Sequence, residues 1–344
     1  MLSSFETAVL LAGCSHSRVI SFPIMADENL PLILHTGSGL VQIGPQGGRI
    51  LAEMVNGALA LSRPAESSGA LTRRFRIGTH ELCEPDYQQI LLWAKVLELE
   101  TETVIEKLLA DQKGQPRQDL VTLILNGRII KLGWDMRLLP LVSFEWVEGL
   151  IIESIHLFGR TQQSSAERNL SLSLPELRCL SISYMGFSRF DLSAVPLLTS
   201  LSCSENQLIE LDLPAVPLLT KLHCRDNQLS KLELSAVPLL TELDCSRNEL
   251  IELDLSAVPM LTSLYCSNNQ LTELELSAVP LLTELVCSGN ELTELDLSAV
   301  PLLTELYCRD NQLIELDISP LWDLTDLSYD EDETHLIQRP DQNF

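Results

Sequence analysis

The sequence is short of positive charge. Lysine and arginine number 23 against 48 aspartates and glutamates, a formal net charge of −25. A surface of that sign repels a phosphate backbone, which excludes nucleic acid as a general partner. It suits solubility and basic partners instead. Aromatic residues make up only 5% of the chain, while 45% is hydrophobic and mostly leucine. That balance describes a repetitive core better than a varied one. No apolar run reaches the roughly 20 residues that a bilayer-spanning helix needs. The six histidines stand at no spacing that suggests a metal site or a catalytic triad. The stretch GSGLVQIGPQGG, residues 37–48, lacks the lysine and Ser/Thr of a phosphate loop. No catalytic residue, metal or cofactor is therefore assigned, and the chain is read as non-enzymatic.

What is present is a repeat, and self-similarity takes precedence over local propensity. Aligned on itself at 21 residues, the chain gives six close copies, starting at Leu201, Leu222, Leu243, Leu264, Leu285 and Leu306. Each runs close to L-x-C-x-x-N-x-L-x-x-L-D/E-L-S-A-V-P-L-L-T-x. A weaker copy opens at Leu180, with Ile182 for the cysteine and Met185 for the asparagine. A failing one opens at Leu327, with Tyr329 and Asp332 in those places. In Leu243-Asp244-Cys245 the period is two, so Leu243 and Cys245 point inward and Asp244 outward. Leu250, Leu253 and Leu255 supply a second extended segment, and the proline of SAVP turns the chain. One coil cannot bury its own leucines; stacked coils pair parallel strands about 4.8 Å apart and share one core.

Cys203, Cys224, Cys245, Cys266, Cys287 and Cys308 then form one inward column. Zinc needs four ligands converging on a point, whereas these lie along a line. Tight packing argues against disulfides. Free cysteine behaves as a small buried hydrophobe, and packing is the expected role. Asn206, Asn227, Asn248, Asn269, Asn290 and Asn311 form a second column, where an inward amide satisfies backbone groups at a bend.

The pattern L-x-x-L-x-C-x-x-N-x-L resembles the leucine-rich repeat family, and its cysteine version resembles the cysteine-ladder repeats of bacterial internalins. The resemblance covers about residues 175–335. It implies an α/β-type repeat fold, a solenoid whose first strands line the concave side of an arc, and a structural role for the asparagines. The SAVP segment departs from internalins, where that segment is more polar, so their adhesin role is not carried over.

Comparing the copies shows where they differ. The inward positions and SAVPLLT hardly change. The positions around the first strand vary: Ser202, His223, Asp244, Tyr265, Val286, Tyr307; then Ser204, Arg225, Ser246, Ser267, Ser288, Arg309; then Glu205, Asp226, Arg247, Asn268, Gly289, Asp310. All three columns are read as outward. Variation confined there is what a partner-reading surface would show. The opposite face carries Glu252, Glu273 and Glu294 beside Asp254, Glu275 and Asp296, read as solvated charge that opposes aggregation rather than as a calcium site.

The N-terminal half is less regular. Leu11-Ala12-Gly13-Cys14 looks like a lipoprotein cleavage box that would acylate Cys14, although Glu6 precedes it, nothing basic does, and the apolar run is short. The plainer reading makes residues 1–25 a flexible tail. Residues 26–118 read as a small α+β region, with helices at 85–97 and 103–111; Thr103 and Glu106 form a capping box for the second. VTLILNGRIIKLGW reads as a hairpin turning at Asn126-Gly127. Residues 119–174 read as degenerate coils capping the solenoid, with Ile152, Ile155 and Leu157 copying the repeat spacing and Trp134, Phe144 and Trp146 packing the cap. Residues 175–335 form the solenoid, and 336–344 an acidic, polar tail.

The expected function is binding of a protein partner on the concave face, through His223, Arg225, Asp244, Arg247, Tyr265, Asn268, Tyr307 and Arg309, because aromatics and arginine concentrate interface energy. The chain is expected to be a cytoplasmic monomer without a transmembrane segment. The alternatives are a surface lipoprotein adhesin anchored through Cys14, or an enzyme within residues 26–118.

Overall fold

Short apolar runs punctuated by glycine favour hairpins, and the first of two compact units, Met1–Gly69, contains two of them. β1 (Ile20–Ser21), β4 (Leu51–Val55) and β5 (Ala58–Ser62) make an antiparallel sheet; β2 (Leu32–Thr36) and β3 (Gly39–Ile43) pair as a separate hairpin. The computed structural model describes residues 73–109, 122–135, 146–159, 169–342 and 344, together with the backbone of these five strands. Cys14 and Phe144 lie outside the described residues.

The second unit, Ala70–Phe344, opens with the hairpin β6 (Arg74–Ile77) and β7 (His80–Cys83). Helix α1 (Glu84–Leu97) follows with proline in its first turn, where no amide hydrogen is missed. It ends at Glu98, whose backbone is left-handed. Helix α2 spans Thr101–Leu109, two residues earlier than the spacing predicts. Thr103 therefore lies inside the first turn, and the Thr103–Glu106 capping box is not formed. Ile90, Trp93 and Ala94 of α1 are buried with Val104, Ile105 and Leu108 of α2. Trp93 meets Trp134 and Trp146 edge to face, centroids 4.7 and 5.9 Å apart.

β8 (Leu123–Leu125) and β9 (Arg128–Asp135) form the hairpin expected at Asn126-Gly127. Both turn residues have positive φ, 50° and 74°, which a type I′ turn requires. A buried ion pair fastens helix to hairpin. Arg128 Nε lies 2.6 Å from Asp86 Oδ2, and Ile129 N–H donates to Asp86 Oδ1 at 2.8 Å.

From β9 onward each coil adds one parallel strand. β10 (Ser154–Phe158) pairs with β9 on one side and β12 (Cys179–Ser183) on the other. β11 (Asn169–Ser171) and β13 (Arg189–Asp191) pair beside them. Then come β14 (Ser200–Ser202), β15 (Lys221–His223), β16 (Glu242–Asp244), β17 (Ser263–Tyr265), β18 (Glu284–Val286) and β19 (Glu305–Tyr307). β20 (Glu315–Asp317) precedes β21 (Asp326–Ser328), which continues the long sheet; β22 (His335–Ile337) pairs back on β20. The long sheet has 11 strands, of which only β8 is antiparallel to its neighbour. Registers advance by 21 residues, Leu201 to Leu222 to Leu243 and on to Leu306.

The buried residues repeat with the same period. Leu243, Cys245, Leu250, Leu253, Leu255, Val258 and Leu261 of one coil are buried, and so are their equivalents. The second extended segment is the exception to the expected picture. Leu250, Leu253 and Leu255 are buried but form no strand in the middle coils. One backbone bond per coil links that side, such as Glu249 N–H to Leu229 O at 2.9 Å, which is too few for a ladder.

Two side-chain columns close the coils on one another. Each asparagine spans two coils. Asn227 Nδ2 donates to Cys224 O of its own coil (2.9 Å) and to Cys203 O of the preceding one (3.1 Å), while its Oδ1 accepts from Leu208 N–H (3.0 Å). The second column is threonine. Thr220 Oγ donates to Thr199 O, Thr241 to Thr220 O, and so on to Thr325, at 2.9–3.1 Å. Sequence comparison registers this threonine only as part of an invariant segment. At the chain's end, Gln342 Nε2 donates to Ile318 O (3.0 Å) and Leu321 O (2.7 Å), and the Arg339 guanidinium binds Ser319 O and lies 3.8 Å over the Trp322 ring.

Candidate interaction face

In a strand the neighbours of an inward leucine point the other way on both sides. The outer face of the long sheet therefore carries two columns. The one after the leucine holds Ser202, His223, Asp244, Tyr265, Val286 and Tyr307. The one before it, which sequence comparison left out, holds Ser200, Lys221, Glu242, Ser263, Glu284, Glu305 and Asp326. The same period-of-two rule would have found it. In β14 to β19 both columns are half-buried.

The two columns interact. The Lys221 ammonium meets Glu242 Oε2 at 2.5 Å, and His223 Nε2 lies 2.8 Å from Glu242 Oε1. Partial burial pushes the Glu242 carboxyl up, but hydrogen bonds and charge from Lys221 and His223 outweigh it and leave the group below its usual range. The Tyr265 phenol donates to Glu284 Oε2 at 2.5 Å. Burial first, then Glu284, raise the Tyr265 pKa. Tyr307 is raised likewise, by desolvation and then by Asp326. The face thus begins with Lys221 and His223 on one carboxylate and continues as phenols set against Glu284, Glu305 and Asp326.

The other predicted contacts lie at the rim. Arg225 is exposed and its Nε donates to Asp226 Oδ2 at 3.0 Å. Arg247, Asn268 and Arg309 are exposed. Asp244 is partly occupied in accepting from Ser246 N–H at 3.0 Å. The middle variable column needs correction. Ser246 and Ser267 are buried, at 5% and 8% exposure, and do not face outward as expected. The chain has already begun to bend there, so the period of two no longer applies.

The next column is outward but also constrained. Glu205, Asp226, Arg247, Asn268 and Asp310 have φ of 53–59°, and Gly289 stands at +70° in the same place. A left-handed residue at this bend costs a side chain about 1 kcal/mol or more. Gly289→Ala should accordingly lower stability by about 1 kcal/mol. Its new Cβ would sit 2.9 Å from Asn268 Oδ1, the movable end of an exposed side chain, so the φ term dominates. A denaturant midpoint equal to wild type would contradict this.

Behind the face the cysteine column is fully buried and unpaired by disulfides. Burial pushes Cys203 and Cys308 up to about 12 and raises the other four as well. These are inert thiols. Among the described residues no group of three or more His, Cys, Asp or Glu is placed to hold a metal ion, and no helix is long and apolar enough to cross a membrane.

Residues 259–300 match the family model for leucine-rich repeats, two copies. Among solved structures, the leucine-rich effector protein YopM of Yersinia pestis is similar over 73% of this chain and 66% of its own, at 24% identity and a TM-score of 0.51. The functional domain of InlJ from Listeria monocytogenes, which includes a cysteine ladder, is 31% identical over 45% of this chain and 42% of its own, with a TM-score of 0.28. The internalin InlF of Listeria monocytogenes is 20% identical over 54% and 62%, with a TM-score of 0.44. The chain spans less than two thirds of the length of either internalin structure. Comparison with curated proteins finds no match.

Proposed function

We propose that this leucine-rich-repeat solenoid is a non-enzymatic protein-binding module that takes a basic partner on the outer face of its long sheet. Such solenoids serve broadly as interaction modules, and stacked coils create extended binding surfaces. One observation carries the reading: on a scaffold whose inward positions are nearly invariant, the two outer columns differ from coil to coil. A face of fixed backbone and changing side chains can be specific.

The chemistry of the face selects the partner's sign. Glu284, Glu305 and Asp326 line up with phenols between them, and the whole chain carries −25. A lysine- or arginine-bearing surface is steered toward such a face, faster at low salt. Tyr265 and Tyr307 are the anchors, because a phenol offers apolar area and a hydrogen bond at low entropic cost. At the other end Lys221 already occupies Glu242, which makes that end of the face less attractive to a cationic segment. In this reading the protein acts in the cytoplasm. Fractionation with lipid labelling tests that, and a label lost in Cys14→Ala would place it on a membrane instead.

The paired variant Tyr265→Ala, Tyr307→Ala should weaken capture of basic proteins by the intact chain at least about tenfold, the scale of one strong interface residue. Its thermal melt should stay close to wild type, since both rings lie on the surface side of the sheet. Capture unchanged in the double variant removes the sheet face from the reading.

A further inference from the structure

SAVPLLT recurs almost letter for letter, yet only part of it is buried. Val237, Leu240 and their equivalents fill the core. The residue after each proline does not: Leu218, Leu239, Met260, Leu281 and Leu302 are 38–47% exposed. They stand 21 residues apart on coils held in strict register, so they form a ridge with one apolar side chain about every 4.8 Å. Each is preceded by an exposed proline. Scattered exposed leucines need no account, but a contiguous run of them does. A neighbouring exposed column shows the contrast: Ile209 and Ile251 alternate there with Ser230 and Thr272, as unconstrained positions do.

Charge is laid out around this ridge with equal regularity. None of the segments 234–241, 255–262, 276–283 and 297–304 contains a charged residue. Glu242, Glu284 and Glu305 border them on one side, Asp254, Glu275 and Asp296 on the other. In a chain with 48 acidic residues, four successive coils thus share an uncharged strip.

We propose that the ridge is a self-association surface, on which a second copy of this chain docks about a two-fold axis with the coils antiparallel. Two features identify the occupant. First, two chains of −25 repel wherever acid meets acid, and this strip is where uncharged surface can meet its like. Second, the ridge has the pitch of the coil stack. A second copy brings apolar side chains at the same pitch, so the two rows can lie side by side in register along the whole contact. An isologous pairing needs a self-complementary patch of this kind. The ridge from Leu218 to Leu302 is only about 20 Å long, less than the roughly 800 Å² per partner of a standard interface demands. The association is therefore weak and concentration-dependent. This departs from the monomer expected from sequence, and it uses a different face from the one proposed for the partner.

Analytical ultracentrifugation of the full chain, from low to high micromolar concentration, tests the idea. The wild type should pass from monomer to dimer, and added salt should tighten the dimer by screening the flanking acids. Salt weakens capture of a basic partner, so the two faces respond in opposite directions. Leu239→Glu with Leu281→Glu should weaken dimerisation at least about tenfold, and Tyr265→Ala with Tyr307→Ala should leave it unchanged. If the glutamate pair fails to fold by circular dichroism, Leu239→Gln with Leu281→Gln takes its place and should weaken the dimer in the same direction. A wild type that stays monomeric at every concentration and salt overturns the proposal, as does a folded ridge variant that dimerises like wild type.

Discussion

Raising the pH from about 8 to about 10 is expected to remove about 3 kcal/mol of folding stability through Cys203 and Cys308, and more through the four thiols between them. In the unfolded chain each thiol ionises near its ordinary value of 9.0, whereas in the fold Cys203 and Cys308 hold their protons up to about 12 and the four between them are raised as well. The cause is burial, which disfavours the thiolate. A folded pKa above the unfolded one means the stability is fully present below pH 9.0 and is lost as the pH climbs toward the folded value. Cys203 and Cys308 then each forfeit about 1.4 kcal/mol per pH unit, and the four thiols between them add losses of the same sign. A whole domain typically holds about 5–15 kcal/mol, so the solenoid should unfold in a narrow alkaline window. Urea midpoints across that range measure this. Cys245→Ala should flatten the dependence by about one thiol's share, and a midpoint that stays level up to about pH 10 would refute it. The same burial protects the column from thiol reagents at neutral pH, while the half-exposed Cys179 reacts.

Asn248→Ala is expected to destabilise the protein by about 3–5 kcal/mol, far more than the volume lost would suggest. Its Nδ2 donates to Cys224 O (3.0 Å) and Cys245 O (2.9 Å), and its Oδ1 accepts from Leu229 N–H (3.1 Å). Truncation leaves Leu229 N–H buried without a partner, at about 1–3 kcal/mol, and removes one of two amide donors from each carbonyl, at about 1 kcal/mol apiece, since Cys224 O still accepts from Asn227 and Cys245 O from Asn269. Asn311→Ala, near the end of the array where the residue is half-buried, should cost clearly less because water reaches what it leaves behind. Equal losses at both positions would mean that the amide column acts through something other than stranded backbone groups. Chemical denaturation of the two variants decides it.

How much of this is legible in the sequence depends on whether a feature repeats. The leucine, cysteine and asparagine columns follow from period and spacing, because each is the same physical demand met once per coil. The burial of Ser246 and Ser267 is not legible, since alternation says nothing about where a strand stops, and these strands stop after three residues. The left-handed bend at Arg247 and Asn268 was hidden because only Gly289 in that column advertises a positive φ. Lys221 and Glu242 are legible by the same alternation that places Tyr265. Helix α2 began early because the chain leaves α1 through Glu98, and the capping box at Thr103 was a local pattern with no say in where the turn ended. The Asp86–Arg128 pair joins residues 42 positions apart and leaves no mark in either neighbourhood.

The uniform advance of 21 residues per coil makes the array a ruler. Each coil's ladder bonds reach only the coil before it and the coil after it. Removing one whole copy would bring together two surfaces that already fit, and inserting one would do the same. The working length of the face can thus be set by counting, in steps of about 4.8 Å. Within each step the five or so outer letters are free to be rewritten while the leucines, amides and hydroxyls that hold the stack are left alone.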